Sequence, residues 1–323
     1  MEIKDIISDI RSKLKENGGL KHIYFVACGG SQAAIFSGHY LIQKEARTFG
    51  TSIYNSSEFV HATPAMLDEQ CIVVLCSLKA TAETVQAVQL ANERGAYTIA
   101  MTGFPTTEMA TNGMYPVVYS NGEQQVYSQG NQSSVLRISF EILHQFEAYA
   151  HYQAALEAFT KVDSIVASAR TYIKRIASRF ADEYKDDEIF YVMASGPAYS
   201  TAYTMAYCHF MEMQWKHAVP MHSGEYFHGP FETTDKNIPI ILFVSEGATR
   251  PLDERALTFL TRYAQRVTVI DAKELGINII DDSVAEYFLS VIMIPVERDI
   301  VSRMAEIRNH SMNMRRYMWK VEY

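Results

Sequence analysis

The side chains best suited to moving protons are Glu212, in the run TMAYCHFMEMQW, and His228, sixteen residues later in MHSGEYFHGPFE. Residues 201–215 have the length of a helix, with apolar residues nearly all round, the pattern of a buried helix. Glu212 stands there among Phe210, Met211, Met213 and Trp215. A carboxylate in that setting is costly unless paired, and an unpaired one is primed to take a proton. The plainer reading places Glu212 on one polar stripe with His209 and Lys216. His228 is followed by Gly229 and Pro230, so it lies at a bend, and its imidazole suits proton transfer near neutral pH. His222, Glu225 and His228 are three apart, a spacing that raises a metal site. The HExxH pairing of zinc sites needs one helix, and the glycines and proline break it. No metal and no cofactor are expected.

A second chemistry is anion binding. Cys28-Gly29-Gly30-Ser31 follows an apolar run and opens a helical stretch, where small residues let the backbone approach a phosphate at a helix N-terminus. Ser77-Leu78-Lys79-Ala80-Thr81 repeats the arrangement after the next apolar run, with hydroxyls and one ammonium suited to a phosphate monoester. Ordinary turns and N-caps use the same residue types. The sequence is neither GxGxxG nor a Walker loop, so nucleotide binding is not indicated.

The elements that must hold these residues are short apolar runs between helical stretches. His22–Ala27, 71–76 and Tyr97–Thr102 read as buried strands, with 117–119 as a weaker fourth, and 31–45 and 82–94 as helices. Ile189–Ala194, 240–245 and Val267–Asp271 repeat the strand pattern. Alternation of this kind predicts an α/β fold with parallel sheets covered on both faces. Tyr24, Ala27 and Gly29 recur 167 residues later as Tyr191, Ala194 and Gly196, and Ser77 recurs as Ser245, which points to duplication. Residues 135–184 have the composition of a helical hairpin. The expected domains are 1–150, a connecting helix 151–183, and 184–323 with a docking tail. Residues 112–132 hold turn formers and read as a mobile loop.

The 29 Lys and Arg against 37 Asp and Glu give a formal charge of −8. That balance argues against broad binding to nucleic acid or an anionic membrane, and no apolar stretch is long enough for a membrane span. Cys28, Cys71, Cys76 and Cys208 match neither a CxxC site nor a disulfide framework, and a reducing cytoplasm is expected. The last 23 residues run against the whole, carrying Arg303, Arg308, Arg315, Arg316 and Lys320 against Glu306 and Glu322.

Taken together, FVACGGS, MEMQW, SGEYFHGPF and the terminal RRYMWKVEY resemble the sugar isomerase (SIS) family of phosphosugar-binding proteins, over almost the whole chain. The resemblance is greatest to the fructosamine-6-phosphate deglycases and extends to the isomerase half of glucosamine-6-phosphate synthase. It implies two tandem SIS domains, each a five-stranded parallel sheet flanked by helices, and a homodimer with a histidine reaching across the subunit interface. It implies Glu212 as the proton-shuttling base and His228 as the acid that opens the sugar ring. Gly30, Ser31, Ser77, Lys79, Thr81 and Glu225 match substrate- and phosphate-binding positions. Lys320 stands near the family's Schiff-base lysine in an ambiguous register. The phosphate loop departs from the family by one residue, lacking a glycine between Lys79 and Ala80.

The implied reaction cleaves a 6-phosphorylated Amadori compound to glucose 6-phosphate and a free amino acid. The same Glu and His would serve a 2-amino-2-deoxy sugar phosphate deglycase or an aldose–ketose isomerase. A phosphosugar-sensing module without catalysis is the alternative from another class.

Overall fold

The computed structural model describes residues 1–322; Tyr323, the last residue of the expected tail, lies outside them. The chain forms two compact units, Met1–Thr160 and Lys161–Tyr323.

In the first unit α1 (Ile3–Glu16) precedes β1 (His22–Ala27), α2 (Gly29–Glu45), β2 (Gly50–Asn55) and α3 (Ser56–His61). Then come β3 (Cys71–Ser77), α4 (Ala82–Glu93), β4 (Tyr97–Thr102), α5 (Glu108–Asn112), β5 (Tyr115–Val118) and α6 (Asn131–Glu147). The five strands are parallel in the order β2-β1-β3-β4-β5. Every residue of β3 is buried, as a central strand covered on both faces requires. One face packs Tyr24, Val26, Val73 and Leu75 against Val85, Val88 and Ala91 of α4. Because the chain passes from β1 to β2 on one side and then to β3 on the other, strand order switches between β1 and β3. Ligands of open α/β sheets bind at that place, outside the carboxyl ends of the strands.

A 33-residue helix, α7 (Tyr152–Tyr184), carries the chain onward. The second unit holds β6 (Ile189–Ala194), α8 (Tyr199–Tyr203), a π-helix (Thr204–Gln214), β7 (His217–His222), β8 (Ile240–Val244), α9 (Arg250–Tyr263), β9 (Val267–Asp271) and α10 (Leu289–Ile307). Its sheet is parallel in the order β7-β6-β8-β9. The expected fifth strand is absent among the described residues. After β9 the chain enters 3₁₀ turns at Ala272–Leu275, Ile277–Ile279 and Ala285–Phe288. Gly276 takes a left-handed φ of 87°, and the Asp281 carboxylate accepts from the Ser283 backbone N–H (3.0 Å), so the apolar INII run is too tightly bracketed to extend.

Both strands that the apolar runs did not reveal, β2 and β7, lie at sheet edges, where only half the residues need be apolar. Pro220 sits in β7, as an edge strand allows. Residues 112–132, expected as a loop around a weak strand at 117–119, contain β5 and a 3₁₀ turn, Tyr127–Gln129. No helix of the described residues is long and apolar enough to cross a membrane.

Candidate active site

The two anion-type turns of the first unit lie side by side, since β1 pairs with β3 and Ala27 stands opposite Cys76. α2 begins at Gly29, two residues earlier than expected, with Gly29 at a left-handed φ of 54°. A Cβ there would meet nothing within 4 Å, so the turn is open above its backbone. In the neighbouring turn the Thr81 backbone N–H donates to Ser77 Oγ (3.0 Å), and Thr81 Oγ1 bonds Thr84 Oγ1 (3.1 Å). Ser77 is buried, while Lys79 and Thr81 are exposed at the rim. Ala80 takes a left-handed φ of 58°. The loop therefore bends through a residue with a Cβ, at a cost of about 1 kcal/mol. Gly30, Ser31, Ser77, Lys79 and Thr81 thus come to one edge of one sheet.

The second unit repeats this geometry and closes it. Ser245-Glu246-Gly247-Ala248-Thr249 corresponds to Ser77–Thr81, and Gly196 (φ 53°) corresponds to Gly29. Here Asp253, wholly buried, fills the cradle. Its Oδ2 accepts from Ser195 Oγ (2.9 Å), from the Ser245 backbone N–H (2.9 Å) and from Ser245 Oγ. A Cβ on Gly196 would strike Thr249 at 2.4 Å. The second-unit turn holds an internal carboxylate where the first unit presents open backbone.

Glu212 lies on the π-helix, and this corrects the sequence expectation. The segment is α-helical only to Tyr203, then takes the wider π form, which is rare and concentrated at functional sites. Several contacts hold it. Phe210 stacks on Phe190 of β6, with centroids 4.4 Å apart and rings 11° from parallel. His209 Nδ1 lies 2.7 Å from Glu297 Oε2 of α10, both buried, and burial pushes the Glu297 carboxyl upward against the pull of His209. At the end, Trp215 turns left-handed (φ 55°), the Gln214 amide donates to the His310 carbonyl (2.9 Å), and Arg308 donates to Gln214 Oε1 (2.8 Å). Tyr207 and Met211 face outward, and Glu212 is 24% exposed rather than enclosed. Nor do His209, Glu212 and Lys216 form one stripe: Lys216 is buried and donates to Glu188 (2.6 Å).

Glu212 opens into a cleft of about 630 Å³ lined by Tyr207, Trp215, Lys216, Arg315 and Arg316. Arg315, 9% exposed, meets it with Nη2 to Oε1 at 2.7 Å. Its Nη1 donates to the carbonyls of Met312 and Met314 (2.9 Å each), and Lys320 Nζ donates to the Arg315 carbonyl (2.6 Å). Lys320 therefore staples the tail loop that carries Arg315. The basic character of the tail was visible in the sequence, whereas its pairing with Glu212 and the closure of the second turn by Asp253 were not.

His228 and Glu225 are exposed on the turn that follows β7, outside the Glu212 cleft. The His228 backbone N–H donates to the Glu225 carbonyl (2.9 Å), and Gly229 (φ 127°) bends the chain just after. His222 instead accepts from the Gly224 backbone N–H (3.1 Å) through Nδ1. No cluster of three His, Cys, Asp or Glu side chains able to hold a metal is found among the described residues.

Residues 19–141 match the SIS domain. Over all 323 residues the chain is 37% identical to the fructosamine deglycase FrlB of Bacillus subtilis, covering 100% of this chain and 97% of that one. The chain belongs to the SIS family. A solved structure from Salmonella typhimurium LT2, described as a phosphosugar isomerase, superimposes with a TM-score of 0.96 at 40% identity, covering 99% of this chain and 96% of the other. The fructoselysine 6-phosphate deglycase of Escherichia coli K12 is 23% identical over 276 residues, 80% of this SIS protein and 75% of that enzyme.

Proposed function

We propose that the protein is a deglycase of 6-phosphorylated Amadori compounds, releasing glucose 6-phosphate and a free amino acid. The observation that carries the reading is Glu212, a carboxylate presented to an open cleft on a π-helix pinned from three sides. The full-length similarity to a fructosamine deglycase supports it.

The substrate is a 1-amino-1-deoxyketose 6-phosphate. His228 protonates the ring oxygen and opens the sugar. Glu212 takes a proton from C1, giving an enaminol, and returns it at C2. The product is an aldose imine, which water hydrolyses: one water enters, the C–N bond breaks, and aldehyde and amine leave. The amine is already on the substrate, so no enzyme lysine forms a Schiff base. Ser77, Thr81 and Lys79 hold the phosphate, with Gly30 and Ser31 presenting the neighbouring helix N-terminus to the sugar. Glu225, exposed on the same turn as His228, binds the substrate. The working form is a cytoplasmic homodimer in which His228, exposed on its own subunit, serves the partner's substrate.

A panel of phosphorylated Amadori compounds made from lysine, asparagine and a simple amine tests this reading through the sugar phosphate released. Glucose 6-phosphate is the expected product. Fructose 6-phosphate would assign a 2-amino-2-deoxy sugar substrate instead, and no release from any member would remove the deglycase reading.

A further inference from the structure

The cations of the Glu212 cleft are not equivalent. Arg315 is committed to Glu212 and Lys216 to Glu188, at 2.7 and 2.6 Å. Arg316 has no carboxylate partner among the described residues, and it is exposed. Its guanidinium lies over Trp215, 4.4 Å from the ring centroid. Trp215 is itself fixed by its left-handed backbone and by His310, which meets it edge-on at 4.6 Å. A cation–π contact holds a guanidinium through the ring face rather than through an ion pair, and its planar fork matches a carboxylate with two parallel hydrogen bonds.

We propose that Arg316, held on Trp215, receives the carboxylate of the amino acid carried by the sugar, and so restricts the cleft to amino-acid conjugates. The inference rests on the deglycase reading and names its substrate class. A phosphorylated sugar has one anion of its own, so a carboxylate receptor beside Glu212 has a use only when the substrate carries a second anion. A plain aldose or ketose phosphate has none, and a simple amine conjugate has none. An amino-acid conjugate presents one on the leaving group, next to the bonds that change. The cleft is within the range of small-molecule sites, about 300–1,000 Å³.

The test compares two 6-phosphorylated Amadori compounds that differ by one charge, made from glycine and from glycinamide. Wild-type protein is expected to prefer the glycine compound by roughly 10- to 100-fold in kcat/KM, the worth of a charge-assisted pair. In Arg316→Gln that ratio falls toward one, chiefly through a higher KM for the glycine compound. Arg316→Lys retains part of the preference, because a point charge replaces the fork. Equal use of the two compounds by the wild type, or an unchanged ratio in Arg316→Gln, overturns the proposal and leaves the deglycase reading intact. A wild type that consumes neither compound, nor any other Amadori phosphate, overturns both.

Discussion

At the scale of single residues, the difference between the corresponding turns of the two units lies in what fills them. Ser77 and Thr81 shape one first-unit turn and the neighbouring turn is open at Gly29, while Ser195 and Ser245 are taken up by Asp253. The phosphate reading therefore falls on the first copy. Thr81→Val removes an exposed hydroxyl whose intramolecular partners are Thr84 and Ser77. It is expected to raise KM for a phosphorylated substrate roughly 10-fold, the worth of one hydrogen bond to a charged group, with little change in kcat. Steady-state kinetics, with inorganic phosphate as a weakened competitive inhibitor, checks this. The residue types of that turn were legible in the sequence. The fate of the second turn was not, because Asp253 takes the place that Val85 holds in the first copy and reads as an ordinary helix residue.

At the scale of elements, buried central strands announce themselves, whereas the edge strands β2 and β7 do not and β5 does so only weakly. HIYFVA, CIVVLC and IFYVMA are apolar because both faces are covered. GTSIYN and HAVPMH pair on one side only and carry Thr, Ser, His and Pro. The π-helix was legible as a helix, but its form and its open face come from tertiary pins that local sequence does not encode. The His209–Glu297 pair is one of these, and removing one partner leaves a buried polar group uncompensated. Glu297→Ala is expected to destabilise the protein by about 3 kcal/mol in denaturant titration and to lower turnover by displacing Glu212. Glu297→Gln keeps a hydrogen-bonding group beside His209 and costs less. If Glu297→Ala matches the wild type in both measurements, the pair is not a pin.

At the scale of the whole molecule, a chain of net charge −8 still gathers a few cations beside the proposed sites. A single lysine, Lys79, lies in the first-unit turn, and Arg315 and Arg316 of the basic tail line the Glu212 cleft. In the proposed reaction His228, exposed and outside that cleft, serves the site of a second copy of the chain. Co-expressed Glu212→Gln and His228→Asn chains, each inactive alone, are expected to recover about a quarter of wild-type turnover, since half the dimers are mixed and one site in each is intact. No recovery from a verified mixed dimer would place both groups in one subunit.

The central claim is that Glu212 moves a proton on a phosphorylated ketoamine so that water can release the amine. Product analysis by NMR after incubation with the 6-phosphorylated Amadori compound of an amino acid tests it most directly, using wild-type protein and Glu212→Gln. The expected result is glucose 6-phosphate and free amino acid in equal amounts from the wild type. Turnover by Glu212→Gln should fall about 10²- to 10⁴-fold without loss of folded structure. Fructose 6-phosphate as the product, or near-normal turnover by Glu212→Gln, would contradict it.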